Sequence, residues 1–150
     1  MNTQSGYEIN EATRFGGFWI RVLAYFIDTV ILITALSPVL FILSLIALEI
    51  ELNFRLPDIF SLVASWIYFS VLDSSSWQAS VGKKAVGLKV VDKNGDRISF
   101  GRATGRHFAK IISGLTIFIG YMMVGWTKRK EGLHDKIAGT LVIRIVKSRP

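Results

Sequence analysis

The chain has 150 residues, 51% of them hydrophobic, with 18 Lys or Arg against 11 Asp or Glu and no cysteine. This length sets one domain at most, the apolar content excludes disorder, and the lack of cysteine excludes disulfides, thiol chemistry and Cys-based zinc sites. Fifteen of the eighteen bases follow residue 80, a skew that marks the cytoplasmic side of a membrane protein.

Residues 1–13 are polar, lack hydrophobic periodicity and are expected to form a mobile tail. Gly16-Gly17 then leads into Phe18 to Leu48, thirty-one residues whose only formal charges are Arg21 and Asp28. As a helix this run is roughly 46 Å long at about 1.5 Å per residue. A hydrocarbon core is about 30 Å thick, so 18–48 is read as a first transmembrane helix. A signal peptide fits less well: the flank mixes acids with bases, the run is too long, and no small-x-small site precedes Glu49. Phe15, Phe18 and Trp19 suit an interfacial aromatic belt. Pro38 falls inside the helix, where it is expected to kink the outer half and where neighbouring groups or Ser37 must satisfy the carbonyl it frees.

Arg21 and Asp28 are two turns apart and share a face with Tyr25. With Phe18 and Trp19 at the headgroups, Asp28 lies near the midplane. An ionised carboxylate costs roughly 2.5–3.5 kcal/mol there and needs a partner. Two readings stay open: a packing staple between helices, or a protonatable, ion-binding group in a pathway. Arg21 is placed to share its charge with Asp28.

Residues 49–58 read as a short outside loop ending in the helix start Pro57-Asp58. A second span is expected over about 58–77, with Trp66, Tyr68 and Trp77 as anchors and Asp73 as a solvated or capping acid at the inner interface. Lys83-Lys84 flank the membrane exit. Leu88–Val91, the turn around Asn94-Gly95, and Arg97–Phe100 predict a cytoplasmic β-hairpin over about 86–100. A phosphate loop at Gly82-Lys83 fails, because Trp77 and Lys84 stand where Gly and Ser or Thr are required.

Arg102, Arg106 and Lys110 recur every four residues on what reads as an interfacial helix or the root of a membrane segment. The uncharged segment 111–127, broken by Gly114, Gly120 and Gly125, is expected to be re-entrant or spanning. Residues 128–150 carry seven bases and two acids, and strand-like Thr140–Val146 can join the hairpin only from the same side. Both features favour re-entry, with both ends of the chain cytoplasmic. The fold class is thus an α-helical integral membrane protein with two transmembrane helices, a third Gly-interrupted segment and a small cytoplasmic sheet.

GFWIRVLAYFID, QASVGKKAVGLKVVDKNGDRISFGRA and KEGLHDKIAGT, in this order, resemble the RDD family of small bacterial membrane proteins over about residues 14–146. The resemblance implies a bacterial inner-membrane protein of largely unassigned activity, transport being a standing suggestion. It makes Arg21 the family's arginine, Asp28 its first aspartate and Asp135 its second. Ala79-Ser80-Val81 departs from the Thr-Leu expected there.

If 128–150 is cytoplasmic, Asp135 can reach Arg21 in a bidentate pair. Arg21, Asp28 and Asp135 are therefore the candidate substrate- or ion-binding residues, supported by Tyr25 and His134. Catalysis is not expected. His134-Asp135 lacks further metal ligands beyond His107, and Ser74–Ser76 lack a His/Asp pair. No metal or cofactor is indicated. The basic surface matches anionic lipid and, without an aromatic–basic platform, not nucleic acid. Two functions follow: an ion-coupled carrier, which so few helices can form only as a homo-oligomer or with a partner subunit, or a non-catalytic accessory or scaffold protein whose charges are structural.

Overall fold

The computed structural model of the chain describes residues 9, 14–49, 56–115, 123–125 and 127–145. Expectations for the N-terminal tail (apart from Ile9), the outer loop, the apex of segment 111–127 and the last five residues lie outside them.

Helix α1 (Phe18–Glu49) has 32 residues, and among the described residues Phe18–Leu48 is the one stretch long and apolar enough to cross a membrane. A helix satisfies its own backbone, so such a run needs no outside partner in lipid. Its apolar side chains stay exposed from one end to the other, Trp19 at 79%, Phe41 at 65% and Leu48 at 75%. At Pro38, Ser37 Oγ donates to the Thr34 carbonyl at 3.1 Å, replacing the N–H that proline lacks.

Helix α2 (Leu56–Ser74) opens with Asp58 in its first turn, an acid at the positive end of the dipole. It ends three residues before the expected Trp77, because Ser75–Trp77 form a turn. Arg97 Nε donates to the Ser74 carbonyl at this end, placing a cation where the last carbonyls are unpaired. The helix packs on α1, Phe69 stacking on Tyr25 at 6.3 Å.

A five-residue helix, α3 (Val81–Ala85), leads into strand β1 (Leu88–Asp92). Helix α4 (Phe100–Leu115) follows, then α5 (Leu133–Ala138) and strand β2 (Thr140–Arg144). The hairpin expected over 86–100 does not form. The turn does: Asp92 Oδ1 accepts the N–H groups of Asn94 and Asp96 at 2.8 and 3.0 Å. But Arg97–Ser99 is irregular and Ser99 starts α4, its carbonyl accepting the Ala103 N–H at 3.0 Å and its Oγ lying 3.3 Å from the Arg102 N–H. Serine caps helices better than it extends strands.

The partner of β1 is instead β2, antiparallel, with Val90 opposite Val142 and Asp92 opposite Thr140. Residues 14–16 lie along the other edge of β2 through a Phe15–Ile143 bridge and the Gly16 N–H to Val142 carbonyl bond of 2.8 Å. Both faces of the sheet are covered. Leu88, Val90 and Val142 pack with Ala24, Ile98 and Ala103, while Val91, Leu141 and Ile143 face Phe15 and Ile9. The sheet is thereby fastened to the Phe18 end of α1, and α5, joined to β2 by a single residue, is delivered there too.

Candidate functional site

Five elements bring buried charges to the first turns of α1. Arg21 donates through Nη1 to Asp135 Oδ2, through Nη2 to the Lys130 carbonyl at 2.6 Å, and through Nε to the Gly16 carbonyl at 2.8 Å. Asp135 sits in the first turn of α5, where it also accepts the Gly132 N–H at 3.2 Å, the return half of a capping box. Its other oxygen takes Arg106 Nε at 2.9 Å. Arg106 Nη1 continues to Asp73 at 2.9 Å, and both Asp73 oxygens receive Lys83 Nζ at 2.6 Å. The result is a line of alternating charge, Arg21–Asp135–Arg106–Asp73–Lys83, tying α1, α5, α4, α2 and α3 together.

Burial makes each of these pairs obligatory, since an unmatched charge in such surroundings costs several kcal/mol. Burial alone would raise the Asp135 carboxyl, but Arg106 and then Arg21 outweigh it and hold the group below the usual carboxylate range. His134 beside it is pushed down to about 3 by burial, against the pull of Asp135 and with Arg106, Lys110 and Arg21 adding to the drop. It is a neutral imidazole at pH 7, with Nε2 3.5 Å from Asp135 and Nδ1 3.4 Å from Ser113 Oγ.

Asp28 belongs to a second cluster. Ser80 Oγ donates to Oδ2 at 2.5 Å, while the Gly82 N–H and the Tyr68 hydroxyl donate to Oδ1 at 2.7 and 2.8 Å. Three donors surround one buried carboxylate, and two of them come from the start of α3. Asp28 thus caps a helix that belongs to another part of the chain. Gly82 permits the approach: a Cβ there would lie 2.1 Å from the Ala24 carbonyl oxygen and 2.8 Å from Asp28 Cγ.

Between the clusters lies a cavity of about 1000 Å³, bordered by Arg21, Asp28, Lys83, Arg106, Lys110 and Lys130 and walled by apolar side chains of α1 and α2. Tyr25 stands on its rim and His134 on its inner wall.

Of the expected site residues, Arg21, Asp135 and His134 come together, and Tyr25 and Asp28 line the same cavity. The expected sharing of Arg21 between both acids is not found: Arg21 is committed to Asp135 and two carbonyls, and Asp28 to uncharged donors. Asp73 is not a solvated acid but a buried one, 3% exposed, because Lys83 and Arg106 converge on it. Arg102, Arg106 and Lys110, expected on one face of an interfacial helix, differ in their surroundings. Arg102 is exposed near Asp92 at 3.3 Å, whereas Arg106, 3% exposed, is the centre of the ion-pair line. The flanking Ala103 and Ala109, both buried, carried the available signal: small residues around a helical Arg mark a packed face. Nothing in the spacing pointed to Ser80, Gly82 and Tyr68 as partners of Asp28. Among the described residues no group of three or more His, Asp or Glu is arranged to hold a metal.

One long lipid-compatible helix with a buried Arg–Asp pair at its end fits a small membrane protein. The RDD family's sequence profile matches residues 15–139, and the chain belongs to that family. It is 37% identical to the protein named uncharacterized protein YxaI of Bacillus subtilis (strain 168), over 85% of this chain and 95% of the relative. It is 27% identical to the uncharacterized membrane protein YteJ of the same organism, over 86% and 80% of the two chains. A shorter likeness, 32% over 45% of this chain and 28% of the relative, is to a proline-rich antigen homolog of Mycobacterium tuberculosis. No solved structure matches the chain.

Proposed function

We propose that this RDD protein is a multi-pass protein of the bacterial inner membrane, with both ends cytoplasmic, that works as a non-catalytic accessory or scaffold protein. Its buried charges are the fastening of a cytoplasmic cap to α1. The observation that carries this reading is the completeness of pairing. Asp73 and Asp135 each meet two cations, and Asp28 meets three donors. A line of charge that joins five elements fixes their arrangement. The cap it fixes, with its β1–β2 sheet, is the surface on which a membrane subunit or a second copy would dock. Entry to and exit from segment 111–127 support re-entry, since Arg106 donates to Asp135, the carboxylate that Arg21 also holds, and the Lys130 carbonyl accepts from Arg21.

The second reading, an oligomeric ion-coupled carrier built around Arg21, Asp28 and Asp135, draws support from the charged cavity. Asp28→Asn and Asp135→Asn separate the two when membrane abundance and monodispersity in detergent are measured together. A fastening role expects both variants to be depleted or aggregated. Normal abundance with a well-folded profile would overturn it and favour the carrier.

A further inference from the structure

A fastening role for the charges leaves the cavity unexplained. Its volume of about 1000 Å³ stands at the upper end of small-molecule sites, roughly 300–1,000 Å³. Five bordering residues are Lys or Arg and one, Asp28, is acidic. Asp73 and Asp135 take up part of that charge from behind, and Glu131 acts on Arg21 from farther away, so five bases meet four carboxylates, and burial, with Lys83 and Arg106 nearby, pushes one of the five, Lys110, down to about 7. Neutral His134 adds nothing to either side.

The opposite wall is apolar: Phe18, Val22, Phe69 and Val124 border the same space. Its rim is formed by Trp19, Val22 and Tyr25, which are 79%, 42% and 60% exposed on α1, the helix suited to lipid. A soluble anion would meet a hydrophobic mouth, whereas a molecule already dissolved in the bilayer would meet a continuous apolar path leading to cationic groups.

We propose that this cavity binds an amphiphile with a phosphate head and an acyl chain, entering laterally from the membrane. Lys130, whose Nζ donates to the Gly125 carbonyl at 2.8 Å, presents an ammonium point charge for the head, and Lys110, whose Nζ lies 4.7 Å over the Phe69 ring, takes up a full proton as the phosphate arrives, in a frame held rigid by Arg21 and Arg106. The chain lies along Phe18, Val22 and Phe69. This assignment does not depend on the accessory reading, since either a scaffold or a carrier could hold such a ligand.

The test uses the purified full-length protein in a non-ionic detergent and three probes: 1-oleoyl lysophosphatidic acid, sn-glycerol 3-phosphate and 1-oleoyl lysophosphatidylcholine. Retention in native mass spectrometry and the shift in melting temperature are read for each. Lysophosphatidic acid should bind at least about tenfold more tightly than either other probe. Lys110→Gln should weaken it by about tenfold, and Val22→Trp, at the exposed mouth, should block the chain without disturbing the ion pairs. Equal binding of glycerol 3-phosphate would make this a site for free phosphate esters. Equal binding of lysophosphatidylcholine would mean non-selective uptake of acyl chains. Undiminished binding in both variants would place the ligand elsewhere. Each of these three results overturns the proposal.

Discussion

Asp28 accepts the Gly82 backbone N–H at 2.7 Å across 54 residues of sequence, so a carboxylate inside the apolar helix is anchored by the start of a helix from another part of the chain. Ser80 and Tyr68 complete its shell. This arrangement explains why α1 tolerates the charge: the desolvation cost is offset by three donors aimed at two oxygens.

The close contact makes Gly82 irreplaceable. In Gly82→Ala the added methyl would lie 2.1 Å from the Ala24 carbonyl oxygen, a backbone atom that cannot swing aside. Overpacking of this kind costs about 1–3 kcal/mol and occasionally more, and separating α3 from α1 would also strip Asp28 of two donors. We expect Gly82→Ala to lose at least about 3 kcal/mol, visible as a large drop in melting temperature of the detergent-solubilised protein, while Gly17→Ala, with open space around its Cβ position, stays near wild type. Equal behaviour of the two variants would contradict the contact.

The ion-pair line predicts non-additivity. Asp135→Asn leaves Arg21 and Arg106 facing each other with no carboxylate between them, and should cost about 3–5 kcal/mol. Arg106→Met strands Asp73 and Asp135 in part and should cost a similar amount. The double variant should be less destabilised than the sum by more than about 0.5 kcal/mol, the coupling expected of residues in one network. Strict additivity in chemical unfolding would mean that the two residues do not share a network.

What was legible in the sequence was long-range polarity and local apolar pattern. As a helix, Phe18–Leu48 is recovered to within one residue, and of the donors left open for the carbonyl that Pro38 frees, a neighbouring group or Ser37, Ser37 is the one found. The meeting of Arg21 with Asp135 followed once the basic C-terminal segment was assigned to the same side as the N-terminus. Pairings that depend on tertiary delivery were not legible. A run such as Arg97–Phe100 carries β propensity, but β1 is claimed by β2 through hydrophobic faces buried on both sides, and Ser99 is worth more as a helix start. Asp73 reads as a solvated or capping acid and Lys83 as a base flanking the membrane exit, because neither sequence neighbourhood reveals that both will meet, with Arg106, in one buried cluster.

Topology can be read with single cysteines, since the chain has none of its own. Lys136→Cys lies on the exposed side of α5, and Asn53→Cys lies between α1 and α2. A membrane-impermeant maleimide should label Asn53→Cys in intact cells and Lys136→Cys only after lysis. Labelling of Lys136→Cys in intact cells would place α5 outside the cytoplasm and overturn the assignment of both chain ends.

The buried imidazole of His134 gives the protein a defined acid sensitivity. The unfolded chain takes up a proton at this residue near pH 6.5, whereas in the folded protein His134 holds out to about 3. The unfolded state therefore binds more protons between those values, and stability falls as pH drops below 6.5. The loss is about 1.4 kcal/mol per pH unit, so roughly 2 kcal/mol should be gone by pH 5. Asp135 acts in a separate window. Its folded carboxyl titrates lower than an unfolded one, so its contribution is intact above about pH 4 and is lost only in stronger acid. Unfolding measured from pH 7 to 5 in a His107→Gln background leaves one histidine to titrate. Stability should decline there, and the further change His134→Gln should flatten the slope over the same range. A slope left unchanged by His134→Gln would assign the acid sensitivity to another group and show that His134 takes up its proton equally in the folded and unfolded chains.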